Sequence, residues 1–205
     1  MLMPPVLDEA LRVVPTTHLV GLWARYVAHD HVLAPPPGTP PNSGAQSLWP
    51  GGPAYAGARY TPKGGAPALY LAQTAEVAQL EVGAVVDIGG RTQLAGARPY
   101  VLLQVQVRLN AALDLRNALA RTALGTNLQE LTGNWRLAKD VPTHVLGAAA
   151  AACGRFDGLV APSSKQPDRA ILVVFTDRLS DEAGTFCEVV EGGALSQRIP
   201  PRGAD

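Results

Sequence analysis

The groups in this chain that could do chemistry are few and scattered: Arg25 with Tyr26, Arg59 with Tyr60, Tyr70, Glu81, and Ser163 with Ser164. Their types are complementary. An arginine presents a planar fork of donors that matches phosphate oxygens. A tyrosine offers a flat face on which another ring can stack. A recessed glutamate can hold a ribose hydroxyl or stabilise positive charge developing on a sugar. Together they suit a nucleotide-sugar ligand better than a peptide or a lipid. The commoner signatures are missing: the sequence has no G-x-x-x-x-G-K-[ST] phosphate loop, no G-x-S-x-G elbow, no G-x-G-x-x-G, no Cys-x-x-Cys pair and no H-E-x-x-H.

Glu81 stands out by its setting. Val77, Leu80, Ala84, Val85 and Ile88 recur at the spacing of an apolar helix face. They predict a helix capped by Thr74, with Glu76 in its first turn and Gly89 and Gly90 at its end. Glu81 falls in the same stripe. A carboxylate there must be paired, protonated or turned to a polar cavity, because burying it bare is costly. The plain alternative is a glutamate at the stripe's edge that reaches water or one arginine. Arg59, Tyr60 and Tyr70 precede it closely, on elements that should pack against this helix, which favours the cavity.

The elements that must carry these groups can be read from the same pattern. Gly57, Pro62, Gly64, Gly65 and Pro67 keep the run around Arg59 irregular, and Ala68–Ala72 is a short buried strand. Upstream, Leu7 to Val14 reads as a short amphipathic helix. His18 to Val27 reads as an apolar strand with Arg25 and Tyr26 near its end. Ala34 to Pro53 is a long Pro/Gly-rich loop with Trp49 as its expected anchor. Downstream, Val101 to Leu109 alternates cleanly and predicts a half-buried strand, followed by a short segment at Leu113–Leu115 and a helix from Arg116 to Leu124 ended by Gly125. Pro142 suits the first position of a helix running to Cys153, with Gly154 as its cap. Strands follow at Gly158–Ala161 and Ala170–Phe175. The pattern weakens after Thr176, and the tail IPPRGAD reads as disordered. The mixture lacks a regular βαβ rhythm and predicts an α+β fold, helices packed around a bent or split sheet.

The remaining polar residues read as structural. His29 and His31 share one face of an extended segment, but no third metal ligand is evident, so a solvated loop entry is expected. Trp135 reads as a packing residue, and His144 as a surface or capping one. Among 205 residues, 17 Lys+Arg balance 17 Asp+Glu, which argues against nucleic acid or an anionic membrane as partner. Cys153 and Cys187 make no disulfide framework or metal set. The start MLMPPVLDEALRVV is not a signal peptide, and no apolar stretch has membrane-spanning length, so a soluble cytoplasmic protein is expected.

Three ordered segments resemble one family. GARYTPKGGAPALYLAQTAEVAQLEV is similar to the central signature of RES-domain proteins, the toxins of Xre–RES toxin–antitoxin pairs. WARYV resembles the family's early strand, and GRFDGLVAPSSKQPDRAILVVF its closing Asp-Gly, Pro-Ser and last-strand pattern. The resemblance implies a fold similar to ADP-ribosyltransferases and cleavage of NAD+ at the nicotinamide–ribose bond, without a metal. It implies one domain over 1–205, with a core at about 18–176, an N-terminal extension at 1–17 and a C-terminal one at 177–205. The family's Arg, Glu and Ser fall on Arg25 or Arg59, Glu81 and Ser163; Glu81, Arg59 and Ser163 would be catalytic. Arg25, Tyr26, Arg59, Tyr60, Tyr70, Ser163 and Ser164 would bind NAD+. An Xre-like antitoxin would be the protein partner, and water or inorganic phosphate the acceptor. Two other readings stand beside it: a mono-ADP-ribosyltransferase acting on a protein, and an inactive binding domain. The chain departs from the family at Gly57-Ala58-Arg59-Tyr60-Thr61, where Gly-Gly-Arg-Trp-Asn is frequent, and within Asp168-Arg169-Ala170, where an Asn is common.

Overall fold

Two long antiparallel strands, β1 (Thr17–Ala28) and β5 (Tyr100–Asp114), form the spine of the computed structural model, which describes residues 1–33, 45–89, 91–95, 98–137 and 140–202. The other strands in chain order are β2 (Ala68–Ala72), β3 (Val85–Ile88), β4 (Arg91–Leu94), β6 (Gly158–Pro162), β7 (Ala170–Phe175), β8 (Phe186–Val189) and β9 (Arg198–Ile199). The helices are α1 (Val6–Val13), α2 (His29–Leu33), α3 (Gly51–Ala56), α4 (Ala75–Glu81), α5 (Ala118–Ala123), α6 (Leu128–Thr132) and α7 (Pro142–Ala152).

The main sheet runs β1-β2-β7-β6-β5-β8-β9, and β1 also pairs with β5 along most of its length. Only Ala24↔Ala72 joins β1 to β2, and β6 meets β5 in parallel at Ala112–Asp114. The sheet is therefore split into a β1/β5/β8/β9 half and a β2/β7/β6 half. Inward residues of both halves share one core: Trp23, Leu103, Val105, Val107 and Leu109 meet Leu69, Leu71, Leu172 and Val174. The opposite face of β7, through Ile171, Val173 and Phe175, packs with Leu7 and Leu11 of α1, Val77 of α4 and Leu146 of α7. Burial on both faces is why AILVVF is apolar without alternation. On β5, by contrast, Leu103, Val105, Val107 and Leu109 are buried while Gln104 and Arg108 are exposed, as the alternation predicts. The fold is α+β around a split sheet.

Several elements differ from expectation. The helix bearing Glu81 stops there instead of reaching Ile88, because Gly83 adopts φ of 70°. Val85–Ile88 then forms a hairpin with β4 around Gly89, whose φ is 62°. Ala84, Val85 and Ile88 keep helical spacing and so extend the stripe past the helix end. Of the short segment at Leu113–Leu115, Leu113 and Asp114 belong to β5 and Leu115 lies in the turn after it. His29–Leu33 is a helical turn, not a loop, with Asp30 paired to Arg98 at 2.8 Å. The Pro/Gly-rich loop lies in part outside the described residues. Within its described part Ser47 and Leu48, not Trp49, are fully buried, and the Leu48 N–H donates to Gln197 Oε1 at 2.6 Å. Past Thr176, β8 and β9 extend the sheet, and Arg198 pairs with Asp181 at 2.7 Å. Strands this short carry no readable period. Ile199 to Arg202 of the tail are described; its last three residues lie outside the described part.

Candidate functional site

A cleft of about 800 Å³ opens beside α4. Ala24 and Tyr26 of β1 line it, with Tyr70 and Ala72 of β2, the Gly57–Arg59 turn, Glu81, Ser164 and Lys165 after β6, and the Thr132–Arg136 segment.

Thr74 caps α4 as its sequence predicts, its hydroxyl accepting the Val77 N–H at 3.3 Å. Glu81 is the last helical residue, so its carboxylate leaves the apolar face and reaches the loop after β6. There Oε1 accepts the Ser163 hydroxyl at 2.6 Å and the Ser164 N–H at 3.0 Å. The Ser164 hydroxyl lies 3.4 Å from both carboxylate oxygens. Ser163 is fully buried, and its oxygen accepts the N–H groups of Lys165 at 3.1 Å and Gln166 at 3.2 Å. A second tie joins the same elements, from Gln166 Nε2 to Glu76 Oε1 at 3.0 Å. The glutamate in the apolar stripe is thus both hydrogen-bonded and turned to a cavity.

Arg59 rides on a tight turn. Ala58 and Thr61 exchange backbone hydrogen bonds at 2.8 and 3.0 Å. The Tyr60 N–H donates to the Tyr70 hydroxyl at 3.0 Å, and Thr61 Oγ1 lies 3.0 Å from the same oxygen. Arg59 Nη1 donates to the carbonyls of Leu131 at 3.0 Å and Gly133 at 2.7 Å. Its Nε and Nη2 make no hydrogen bond to the described residues and remain available to a ligand. Burial lowers the Arg59 pKa, opposed by the charges of Tyr60 and Glu81. Burial also raises the Tyr70 phenol well above its ordinary value, so it stays protonated. Tyr26 stacks on Tyr100 with centroids 4.9 Å apart.

Of the residues singled out from sequence, Tyr26, Arg59, Tyr70, Glu81 and Ser164 line the cleft; Arg25, Tyr60 and Ser163 do not. Neighbours on a strand face opposite ways, so with Ala24 and Tyr26 on the cleft side Arg25 turns to the other. Its guanidinium donates to the Trp49 carbonyl at 3.2 Å and, at 3.5 Å, to that of Tyr70, while its buried Nε has no partner. Burial brings its pKa down to about 10, opposed by Cys187. Tyr60 is packing: its ring is buried, and its carbonyl lies against Gly147. Ser163 sits behind Glu81.

Sequence reasoning did not select Thr132, Gly133, Asn134, Arg136 or Lys165, and read Trp135 as packing alone. All line the cleft. Lys165 follows the serine pair directly and could have been taken with it; the 132–136 segment has no periodicity to mark it. The Asp-Gly of the closing segment is structural. Asp157 accepts the N–H groups of Asn110 at 2.7 Å and Ala111 at 2.9 Å, where β5 changes partner from β8 to β6. A side chain on Gly158 would overlap the Val173 carbonyl.

A chain of the M. tuberculosis MbcT–MbcA toxin–antitoxin complex shares the fold, with a TM-score of 0.63 at 19% sequence identity over 95% of this chain and 91% of that one. No curated protein matches the sequence. The family model of the RES domain matches residues 35–191, a stretch that holds the Arg59 turn, α4 with Glu81, the 132–136 segment and the serine loop. That match spans well over half of the chain, which therefore belongs to the RES domain family.

Proposed function

We propose that this chain is a toxin-like enzyme that binds NAD+, cleaves its nicotinamide–ribose bond and is held inactive by an Xre-like antitoxin. The observation that carries the reading is the Glu81 carboxylate, anchored by Ser163 and Ser164 in a cleft that Arg59 also lines. The cleft's volume falls within the roughly 300–1,000 Å³ of small-molecule sites.

When the glycosidic bond breaks, its electron pair leaves with nicotinamide and the ribose becomes oxocarbenium-like. Glu81 would stabilise that charge, directly or by holding the ribose hydroxyls, and two serine donors keep it aimed. Arg59 would bind the pyrophosphate through Nε and Nη2 and so orient the bond. Tyr26 would offer its ring to a flat group. Tyr70, whose hydroxyl is engaged by the Arg59 turn, would shape the wall. Ser163 would act through Glu81, since the structure engages both its proton and its oxygen. Arg25 would bear on the site through the Tyr70 carbonyl.

The shared fold with a chain of a toxin–antitoxin complex supports the toxin and antitoxin parts of the reading. Products of labelled NAD+ test the rest. Free ADP-ribose indicates water as acceptor, a phosphorylated ADP-ribose indicates phosphate, and labelled protein indicates transfer. Absence of nicotinamide release from folded protein contradicts the enzyme reading. Co-expression with the antitoxin is expected to restore growth and cellular NAD+.

A further inference from the structure

His144 lies in the first turn of α7, outside the cleft lining, and the mechanism above does not use it. Its Nε2 is 2.9 Å from the carbonyl oxygen of Ala58. A carbonyl only accepts, so Nε2 carries the hydrogen. That carbonyl opens the turn that presents Arg59, and it also accepts the Thr61 N–H at 3.0 Å. The turn is clasped from two further sides: by the Tyr70 hydroxyl, and by Gly147 one helical turn along α7, where the bare Cα admits the Tyr60 carbonyl. The His144 ring meets the Trp135 ring at 5.3 Å between centroids and 56° between planes. Trp135 stands two residues past Gly133, whose carbonyl holds Arg59 Nη1 at 2.7 Å. His144 therefore touches both supports of Arg59: the turn that carries its backbone and the segment that fixes its guanidinium.

We infer that His144 is the positioning residue for Arg59. It holds the Ala58 carbonyl and the Trp135 segment in register, so that Arg59 stays presented to the cleft it lines. The role needs an N–H donor at the Nε2 position and no proton transfer. Glutamine, whose side-chain amide places an N–H near that point, should serve; alanine should not.

The test has two arms. In the first, amide hydrogen exchange is followed at Tyr60 and Thr61 without nucleotide. Exchange in His144→Ala is expected to speed up by about tenfold, the loss of one hydrogen bond's worth of protection, with Val173 in the core unchanged. His144→Gln is expected to keep wild-type protection. The second arm rests on the NAD+ reading. Since Arg59 would grip the pyrophosphate equally in ground and transition states, His144→Ala should raise KM for NAD+ by about tenfold and leave kcat within about threefold. His144→Gln should restore KM. Unchanged exchange in His144→Ala overturns the inference. So does a folded His144→Gln as defective as the alanine variant, which would assign the ring a proton-transfer role. Should His144→Ala fail to fold, His144→Gln decides alone, supporting the inference if the turn amides stay protected and overturning it if they do not. The first arm stands even if the wild-type protein releases no nicotinamide, so the two readings fail separately.

Discussion

The Ser163 hydroxyl donates to Glu81 Oε1 across 2.6 Å while its oxygen accepts the N–H groups of Lys165 and Gln166. With its proton and oxygen both committed and no imidazole beside it among the described residues, Ser163 is placed to anchor Glu81 and not to act as a nucleophile. Ser163→Ala removes a donor to a charged group and leaves two amides short. It is expected to cost about 1–2 kcal/mol of stability and to lower turnover about tenfold with little change in KM. Denaturant midpoints and nicotinamide release measure both; unchanged turnover would show that the carboxylate needs no anchor.

The two arginines should part company. Arg59→Ala removes a guanidinium that lines the cleft, and calorimetric titration should find NAD+ binding weaker by about 1.5–3 kcal/mol. Arg25→Ala instead leaves the carbonyls of Trp49 and Tyr70 without a donor and opens a void between β1 and its neighbours. Its main expected effect is a stability loss of about 2 kcal/mol or more, with a smaller loss of binding than Arg59→Ala. A larger binding loss at Arg25 with unchanged melting would place its guanidinium in the cleft when ligand is present.

Gly147 is required by contact, not by backbone angle. A Cβ there would overlap the Tyr60 carbonyl, so α7 and the Arg59 turn would have to separate. Gly147→Ala is expected to destabilise by about 3 kcal/mol and to weaken NAD+ binding through displacement of Arg59. A wild-type denaturant midpoint would contradict the close approach of helix and turn.

Alkaline pH should unfold the protein early. Burial pushes the Cys187 thiol from 9.0 up to about 12, opposed by Arg25. Burial likewise raises the phenols of Tyr60 and Tyr70 far above 10.0. Above each ordinary value the unfolded chain loses a proton that the folded chain keeps, so stability falls as pH rises. Arg25 runs the other way, because above about 10 the unfolded chain still holds a proton that the folded chain has lost. The thiol comes first and two phenols follow, so the melting temperature should decline from pH 9.0 upward. Cys187→Ala should remove the earliest part of the decline. A melting temperature that holds or rises to pH 10.0 would contradict the burial of these groups.

Part of this site was legible in sequence because it breaks a pattern. Glu81 interrupts an apolar stripe, and the two strands AILVVF and VLLQVQVRL announce their faces by composition and period. The helix end is not legible, because Val85 and Ile88 keep helical spacing past Gly83, whose positive φ ends the helix locally. Arg25 and Tyr26 are neighbours in sequence, but on a strand they point to opposite faces, an alternation the sequence already carries. Thr132–Arg136 and β8 were illegible for a different reason. Their places are set by long-range partners, Arg59 for the first and β5 for the second, and neither leaves a local signature.

On the proposed function, the charge of the Glu81 carboxylate drives cleavage of NAD+. Nicotinamide release by the wild-type protein and by Glu81→Gln, measured side by side with NAD+ binding, tests it most directly. Glutamine keeps the size of the side chain and an oxygen to accept from Ser163 and Ser164, but lacks the charge. Turnover is predicted to fall by about 100-fold or more while NAD+ binding changes little. A folded Glu81→Gln protein that releases nicotinamide at near the wild-type rate would contradict the claim.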